Sequence, residues 1–315
     1  MNALITGGAG FIASHLACKL AEAGCDDLRV IDLVDPWYKS TFPCSYFRMD
    51  LSVIGEYPEV LRGIDTVFHL AWASIPESAT KDPLRDIKVN LAPTINLLDQ
   101  CVSHGVKRVI FLSTGGAIYG LSGRLPASEN HPTDPVSAYG ISKLAAEKYI
   151  ALYHRLYGLE YSILRPSVPC GEYQNPFGRQ GAIAVFLGKI LQNKPIVIWG
   201  EPSSITRDFF YVGDLANACI LAARAKEPTT LYNIGSGVGI NLVELVDMLA
   251  KVVGPKYPVE IQTSPPRPFD VPSLILDISN AKKFLGWKPT VPLVDAVRRT
   301  WNWIRALPLS DQIAN

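Results

Sequence analysis

Apolar residues along the chain fall into short solid runs, separated by stretches in which they recur every three or four positions. The runs at 3–6, 28–33, 66–71, 108–114 and 161–167 lack polar alternation, which marks strands covered on both faces. Between them, 11–23, 86–104 and 138–157 carry helical spacing. Strands alternating with helices predict an α/β fold of the Rossmann type, a doubly wound parallel sheet with right-handed crossovers. After Pro166 the pattern loosens: "PSVPCGEYQNPFGRQG" reads as loops over the carboxyl edge of the sheet. "RDFFYVGDLANACILAAR" and "LYNIGSG" then return as strand, helix and strand. A Pro-rich loop, "PPRPFDVP", and two helices at 279–285 and 292–306 follow. This order predicts one unit from 1–167, with 208–235 returning to it, interleaved with a smaller α/β unit of 168–207 and 236–315. The sequence holds no internal repeat and no low-complexity tract.

Composition narrows the function classes. In 315 residues, 30 Lys and Arg face 29 Asp and Glu, so no broad field favours nucleic acid or an anionic membrane. An anionic ligand must be held by local groups. "MNALITGG" reaches glycine too soon for a signal-peptide core, and no apolar run approaches membrane-spanning length, so a cytoplasmic protein is expected. Six cysteines without any C-x-x-C pair suggest reduced thiols and no metal site.

"ALITGGAGFIASHLACKL" sets Gly7, Gly8 and Gly10 between a strand and a helix, where backbone can approach a pyrophosphate and the helix start offers unpaired N–H groups. Asp32 ends the next strand about 20 residues on, placed to accept the ribose hydroxyls of NAD. Asp35 follows, and no Arg or Lys appears until Lys39, which disfavours the 2′-phosphate of NADP. Asp50, in "RMD", suits the adenine amino group or, equally, the N-cap of a helix from Leu51. Ala13 stands at the third glycine position of the fingerprint and adds one methyl at the helix–sheet contact.

"PVSAYGISKLAAEKY" puts Tyr139 and Lys143 four apart, hence on one helix face. A phenol with a pKa near ~10 is a poor base at neutral pH, but an adjacent ammonium and an oxidised nicotinamide favour the phenolate. The pair reads as the acid/base of a hydride transfer: Tyr139 takes a proton from a hydroxyl as hydride leaves the same carbon.

Through "TGGAGFIASH", "HLAW", "VNLAPTINLL", "STGGAIYG", "AYGISK", "LRPSVPCG", "RDFFYVGDLA", "YNIGSG" and "LGWKP", the chain resembles the extended short-chain dehydrogenases. Within them it is similar to the NAD-dependent nucleotide-sugar epimerases and dehydratases, in their UDP-glucose 4-epimerase-like branch. The resemblance implies that Phe11, Ile12, Leu51, Leu70, Ala71, Asn90, Ser113 and Pro166 join Gly7, Gly10, Asp32, Asp50, Tyr139 and Lys143 around NAD. It implies a substrate site of Gly115, Tyr139, Arg207 and Arg267, the two arginines on a nucleotide diphosphate. Each arginine also fits an ordinary surface loop. The family carries Ser or Thr where this chain has Gly115, so either Tyr139 meets the reacting hydroxyl directly, or Thr114 or a water replaces the lost group. Two further departures are Val168, in place of a substrate-binding Asn, and Cys170, in place of a Tyr. Gly116 and Ala117 stand where dehydratases of the family keep Asp-Glu, and Ala117 where decarboxylases keep Glu and epimerase/reductases keep Cys.

What remains is epimerisation at C4 of a nucleotide-linked hexose, a UDP-sugar, through a 4-keto sugar. The alternatives are reduction of a nucleotide-linked keto sugar with NADH, or a non-catalytic NAD sensor. Apolar residues Ile87, Leu91, Ile95 and Leu98, at helical spacing, fit either a family-type homodimer contact or packing on the sheet.

Overall fold

The computed structural model describes residues 1–35, 44–53, 57–121, 123–226 and 229–308. The chain runs β1 (Asn2–Thr6), α1 (Phe11–Glu22), β2 (Asp27–Asp32), β3 (Ser45–Arg48), α2 (Tyr57–Leu61) and β4 (Thr66–His69). Next come α3 (Pro76–Lys81), α4 (Pro83–Asp86), a π-helical turn (Ile87–Leu91), α5 (Ala92–Ser103), β5 (Arg108–Leu112), α6 (Gly115–Ile118), α7 (Ala138–Tyr157) and β6 (Glu160–Pro166). The second half holds β7 (Val168–Cys170), α8 (Ala182–Leu191), β8 (Ile196–Trp199), β9 (Thr206–Arg207), β10 (Phe209–Tyr211), α9 (Val212–Ala223) and β11 (Thr230–Ile234). It closes with β12 (Ile240–Asn241), α10 (Leu242–Val253), β13 (Ile261–Ser264), α11 (Ser279–Leu285) and α12 (Leu293–Arg305).

Seven strands form one parallel sheet in the order β11-β6-β5-β4-β1-β2-β3. Neighbouring residues on a strand serve opposite faces. Ile5, Val30, Phe68 and Ile110 pack with α1 and α9, whereas Leu4, Ile31, Val67 and Val109 pack with α2, α5 and α7. Both faces being covered explains the solid apolar runs. The strand order reverses between β1 and β4, and the crevice outside their carboxyl ends is where such sheets bind ligands. A third apolar cluster joins α8, α10 and α12 through Leu187, Leu245, Leu249 and Trp301, under the pairs β13–β8 and β10–β7.

The sequence-based elements differ from the structure in three places that shape the crevice. The strands expected to reach 71 and 114 stop at His69 and Leu112, freeing the following residues to turn over the sheet edge. The helix expected over 86–104 is broken by the π-helical turn, where the N–H of Ala92 reaches back to the Ile87 carbonyl; Pro93 supplies no N–H of its own. The stretch expected as loops after Pro166 contains β7, which pairs with β10 outside the large sheet, while β11 joins that sheet beside β6.

Candidate active site

The glycine turn is defined by what it lacks. Gly7 has φ +74°, and a Cβ there would stand 2.7 Å from the backbone of Ala71. A Cβ on Gly8 would stand 1.8 Å from Val30 Cγ1. α1 then starts with no side-chain cap and no acid in its first turn, leaving its N-terminal dipole to an anion. Asp32 is held beside the turn, accepting from Ala9 N at 2.9 Å and Val34 N at 3.2 Å. These features fit the pyrophosphate and ribose of NAD. Asp50 is exposed and accepts from Ser52 N at 2.8 Å, so it caps a turn, and the next helix begins only at Tyr57. The Leu51 carbonyl accepts from the Tyr57 hydroxyl and the Asn96 amide, each at 2.7 Å. Lys39 lies outside the described residues.

Leu70 and Ala71 leave β4 over a buried hydrogen-bond chain. The Ala71 N–H donates to Thr6 Oγ1 at 3.1 Å, and His69 joins Thr6 and Thr94 through its two ring nitrogens at 2.8 and 2.9 Å. Burial, with the Lys143 charge adding to it, pushes His69 down to about 3, so the ring is neutral. Asn90 is buried one loop away. Its Oδ1 accepts from Ala73 N at 2.7 Å, and its amide donates to Ser74 Oγ and Asp86 Oδ1, pinning the segment that carries Trp72.

Successive residues after β5 point three ways. Ser113 Oγ donates to Glu147 at 2.5 Å; Glu147 in turn is paired with Arg165, at 2.6 Å. Thr114, extended at φ −151°, lines the cleft with Tyr139, and its hydroxyl draws the Tyr139 phenol's pKa down. Gly115 faces away: a Cβ there would meet Leu276 Cδ1 at 2.6 Å and the Pro166 carbonyl at 3.2 Å. Thr114 thus lines the cleft, while Gly115 packs against Leu276 and the Pro166 carbonyl.

α7 begins at Ser137, whose hydroxyl caps Gly140 N at 3.2 Å, and presents Tyr139 and Lys143 one turn apart. Burial raises the Tyr139 phenol above its usual value, opposed by the Thr114 hydrogen bond. Lys143 is buried and pushed down to about 7 by desolvation, against the pull of Glu147 and Asp86. Its Nζ donates to the Leu112 carbonyl at 2.7 Å.

A cleft of about 800 Å³ runs from Gly7, Gly10, Phe11 and Ile12 past Leu70, Thr114 and Tyr139 to Arg207 and Arg267. Arg207 spends one nitrogen on the carbonyls of Thr206 and Pro272, and burial lowers its pKa. Arg267 is bidentate to Asp270 at 2.7 and 3.0 Å and lies over the rings of Trp199 and Phe269. Val168 lines the same wall, whereas Cys170 is buried behind it and bonds the Phe210 carbonyl. Of Ile196, Val197 and Ile198, the first is core, and Val197, Ile198 and Trp199 line the cleft. Of the aromatics weighed from sequence as pocket walls against the plainer reading of core, Trp72 and Trp199 line the cleft, while Tyr173 is not among its lining residues; Glu77, Arg179 and Leu274 also line it without having been singled out, their only signal being proximity to recognised motifs. Among the described residues no cluster of His, Cys, Asp and Glu could hold a metal, no helix is long and apolar enough to cross a membrane, and the six cysteines are unpaired.

The family model described as "NAD dependent epimerase/dehydratase family" matches residues 3–235. A Methanocaldococcus jannaschii protein named putative UDP-glucose 4-epimerase is 37% identical over 304 residues, 96% of this chain and 98% of its own. An Escherichia coli dTDP-4-dehydro-6-deoxyglucose reductase is 32% identical over 315 residues, 96% of this chain and 97% of its own. Among solved structures, the UDP-glucose 4-epimerase of Thermotoga maritima with UDP-glucose superposes with a TM-score of 0.91 at 34% identity, over 97% of this chain and 99% of that one. Sequence and fold agree along nearly the whole length: the chain belongs to the NAD-dependent epimerase/dehydratase family and is an enzyme of it, with NAD as its cofactor.

Proposed function

We propose that the protein inverts C4 of a UDP-linked hexose. The observation that carries this reading is the convergence of Tyr139 and Thr114 on one cleft that ends at two arginines. Among the described residues, the acids lining that cleft are Glu77, paired with Lys81, and Asp270, paired with Arg267. Loss of water from a sugar needs an acid and a base next to the keto carbon, so dehydration lacks its groups. Inversion needs only one acid/base and the cofactor.

In this reading Tyr139 takes the proton of the sugar 4-hydroxyl and gives it back to the same oxygen once the keto sugar has turned over. NAD, when bound, would supply the acceptor for the C4 hydride and its return to the opposite face. Thr114 shares a hydrogen bond with the Tyr139 oxygen and steadies the phenolate, and the Lys143 ammonium favours the same charge. Arg207 and Arg267 hold the diphosphate, while the apolar wall of Val168 and Leu274 lets the keto sugar turn over. Gly7, Gly10, Phe11, Ile12, Asp32, Asp50 and Leu51 hold the adenosine half of NAD, and Leu70, Ala71, Asn90, Ser113 and Pro166 frame the nicotinamide side. Residues 1–167 and 208–235 form the cofactor unit, and 168–207 with 236–315 the sugar-nucleotide unit. Ile141, Leu152, Leu156 and Tyr157 on α7, with Leu84, Ile87 and Val89 ahead of α5, leave an exposed apolar face that suits a two-fold homodimer. A cytoplasmic location fits the unpaired thiols.

The test is incubation with UDP-glucose, UDP-galactose and their N-acetylamino counterparts, without added cofactor, followed by proton NMR. Inversion of one pair is expected. A second reading, reduction of a nucleotide-linked 4-keto sugar, draws on the E. coli relative and on Val168, which cannot donate a hydrogen bond to a substrate phosphate. It predicts consumption of added NADH by such a sugar and no inversion.

A further inference from the structure

Trp72 follows β4 in "HLAW" and touches both members of the acid/base pair. The Lys143 ammonium lies 3.9 Å from the centroid of the Trp72 ring and 4.7 Å from that of Phe111. The Trp72 and Tyr139 rings pack edge to face, their centroids 6.3 Å apart and their planes at 85°. The indole Nε1 is buried without a hydrogen-bond partner, although a buried indole N–H ordinarily finds one. Its contacts with the pair, and not a tether through nitrogen, therefore distinguish this side chain. Of the other groups facing Lys143, the Leu112 carbonyl accepts from its Nζ, Glu147 is paired with Arg165 and Ser113, Asp86 binds Ser74 and Asn90 through Oδ1 while its Oδ2 has no hydrogen-bond partner among the described residues, and His69, which is neutral, binds Thr6 and Thr94.

We propose that Trp72 is a positioning residue for the Tyr139–Lys143 pair: its face binds the Lys143 ammonium and it packs edge to face with the Tyr139 ring, so one side chain orients both and favours the charged lysine. The inference rests on the reading of that pair as the acid/base of the reaction. Desolvation acts on Lys143 in the opposite sense, and the aromatic face adds to the pull of Glu147 and Asp86 in offsetting part of it.

The test is a titration of Lys143 by NMR in the full chain labelled with ε-¹³C lysine, the resonance being identified by its loss in Lys143→Arg. Replacing tryptophan by 5-fluoro and then difluoro analogues drains charge from the ring face with little change of volume. The Lys143 midpoint is expected to fall stepwise along that series. In Trp72→Leu it falls by roughly 0.4 to 1.5 pH units, and in Trp72→Phe by less. In the Trp72→Phe background fluorination has no effect, which isolates Trp72 from the other tryptophans. The alkaline limb of turnover moves down with the midpoint. A midpoint unmoved by fluorination overturns the proposal, even if Trp72→Leu fails to fold. A moving midpoint in a protein that inverts no sugar supports Trp72 and refutes epimerisation instead.

Discussion

The two ends of the cleft are built by opposite means. At the cofactor end the chain removes side chains: Gly7 and Gly8 let backbone lie against Ala71 and Val30, and one short loop completes the turn. At the sugar end it gathers side chains from distant segments, with Thr114, Tyr139, Val168, Arg207 and Arg267 meeting across residues far apart in sequence. A turn made of backbone tolerates almost no substitution, whereas a wall of side chains changes specificity one residue at a time. The contrast explains how one cofactor turn serves several sugar chemistries in a family.

The largest expected effect lies where the two ends meet. Tyr139→Phe should lower kcat by roughly 10²- to 10⁴-fold while the protein still purifies with NAD, measured by turnover and by cofactor released on denaturation. Gly7→Ala forces a left-handed backbone on a residue with a Cβ and drives that carbon into Ala71; NAD retention should drop by roughly 5- to 100-fold. If it binds NAD normally, the backbone account of the turn is wrong.

At the far wall, Arg207→Ala should raise KM by roughly 10- to 100-fold with a smaller change in kcat, because on the proposed reading the guanidinium holds a diphosphate that does not react. Thr114→Val should cost roughly tenfold in kcat. Adding Gly115→Ser should not restore it, since that side chain would run into Leu276 instead of the cleft. Rescue by Gly115→Ser would show that position 115 faces the sugar after all.

The smallest effect concerns stability. The His69 ring is held near about 3 by burial, below its unfolded value of about 6.5. Between those values the unfolded chain binds a proton that the folded one refuses, so stability falls as pH drops through that window. The urea midpoint should decline from pH 6.5 downward, and more gently in His69→Gln.

What could be read from the sequence follows the same division. Gly7, Asp32, Tyr139 and Lys143 announce themselves because their roles depend on local spacing along one strand, turn or helix. The strand–helix alternation was legible because apolar runs and helical periods are local patterns as well. The direction of Gly115 was not, because the backbone leaves the strand at Leu112 and period-two reasoning ends there. β7 escaped notice because a three-residue strand pairing with β10 is decided by tertiary contact. Trp72 could be weighed as a pocket wall but not set apart from core, because a lone aromatic carries no spacing and its meaning comes only from the Lys143 ammonium over its face.

The central claim is that one acid/base and a retained cofactor carry hydride off C4 and back, with no proton exchanged at a neighbouring carbon. The most direct measurement is the conversion of UDP-glucose in D₂O without added cofactor, followed by NMR and mass spectrometry. Inverted sugar that still carries protium at C3, C4 and C5 is the predicted result. Deuterium at C3 or C5, or turnover only when NADH is supplied and consumed, would contradict it.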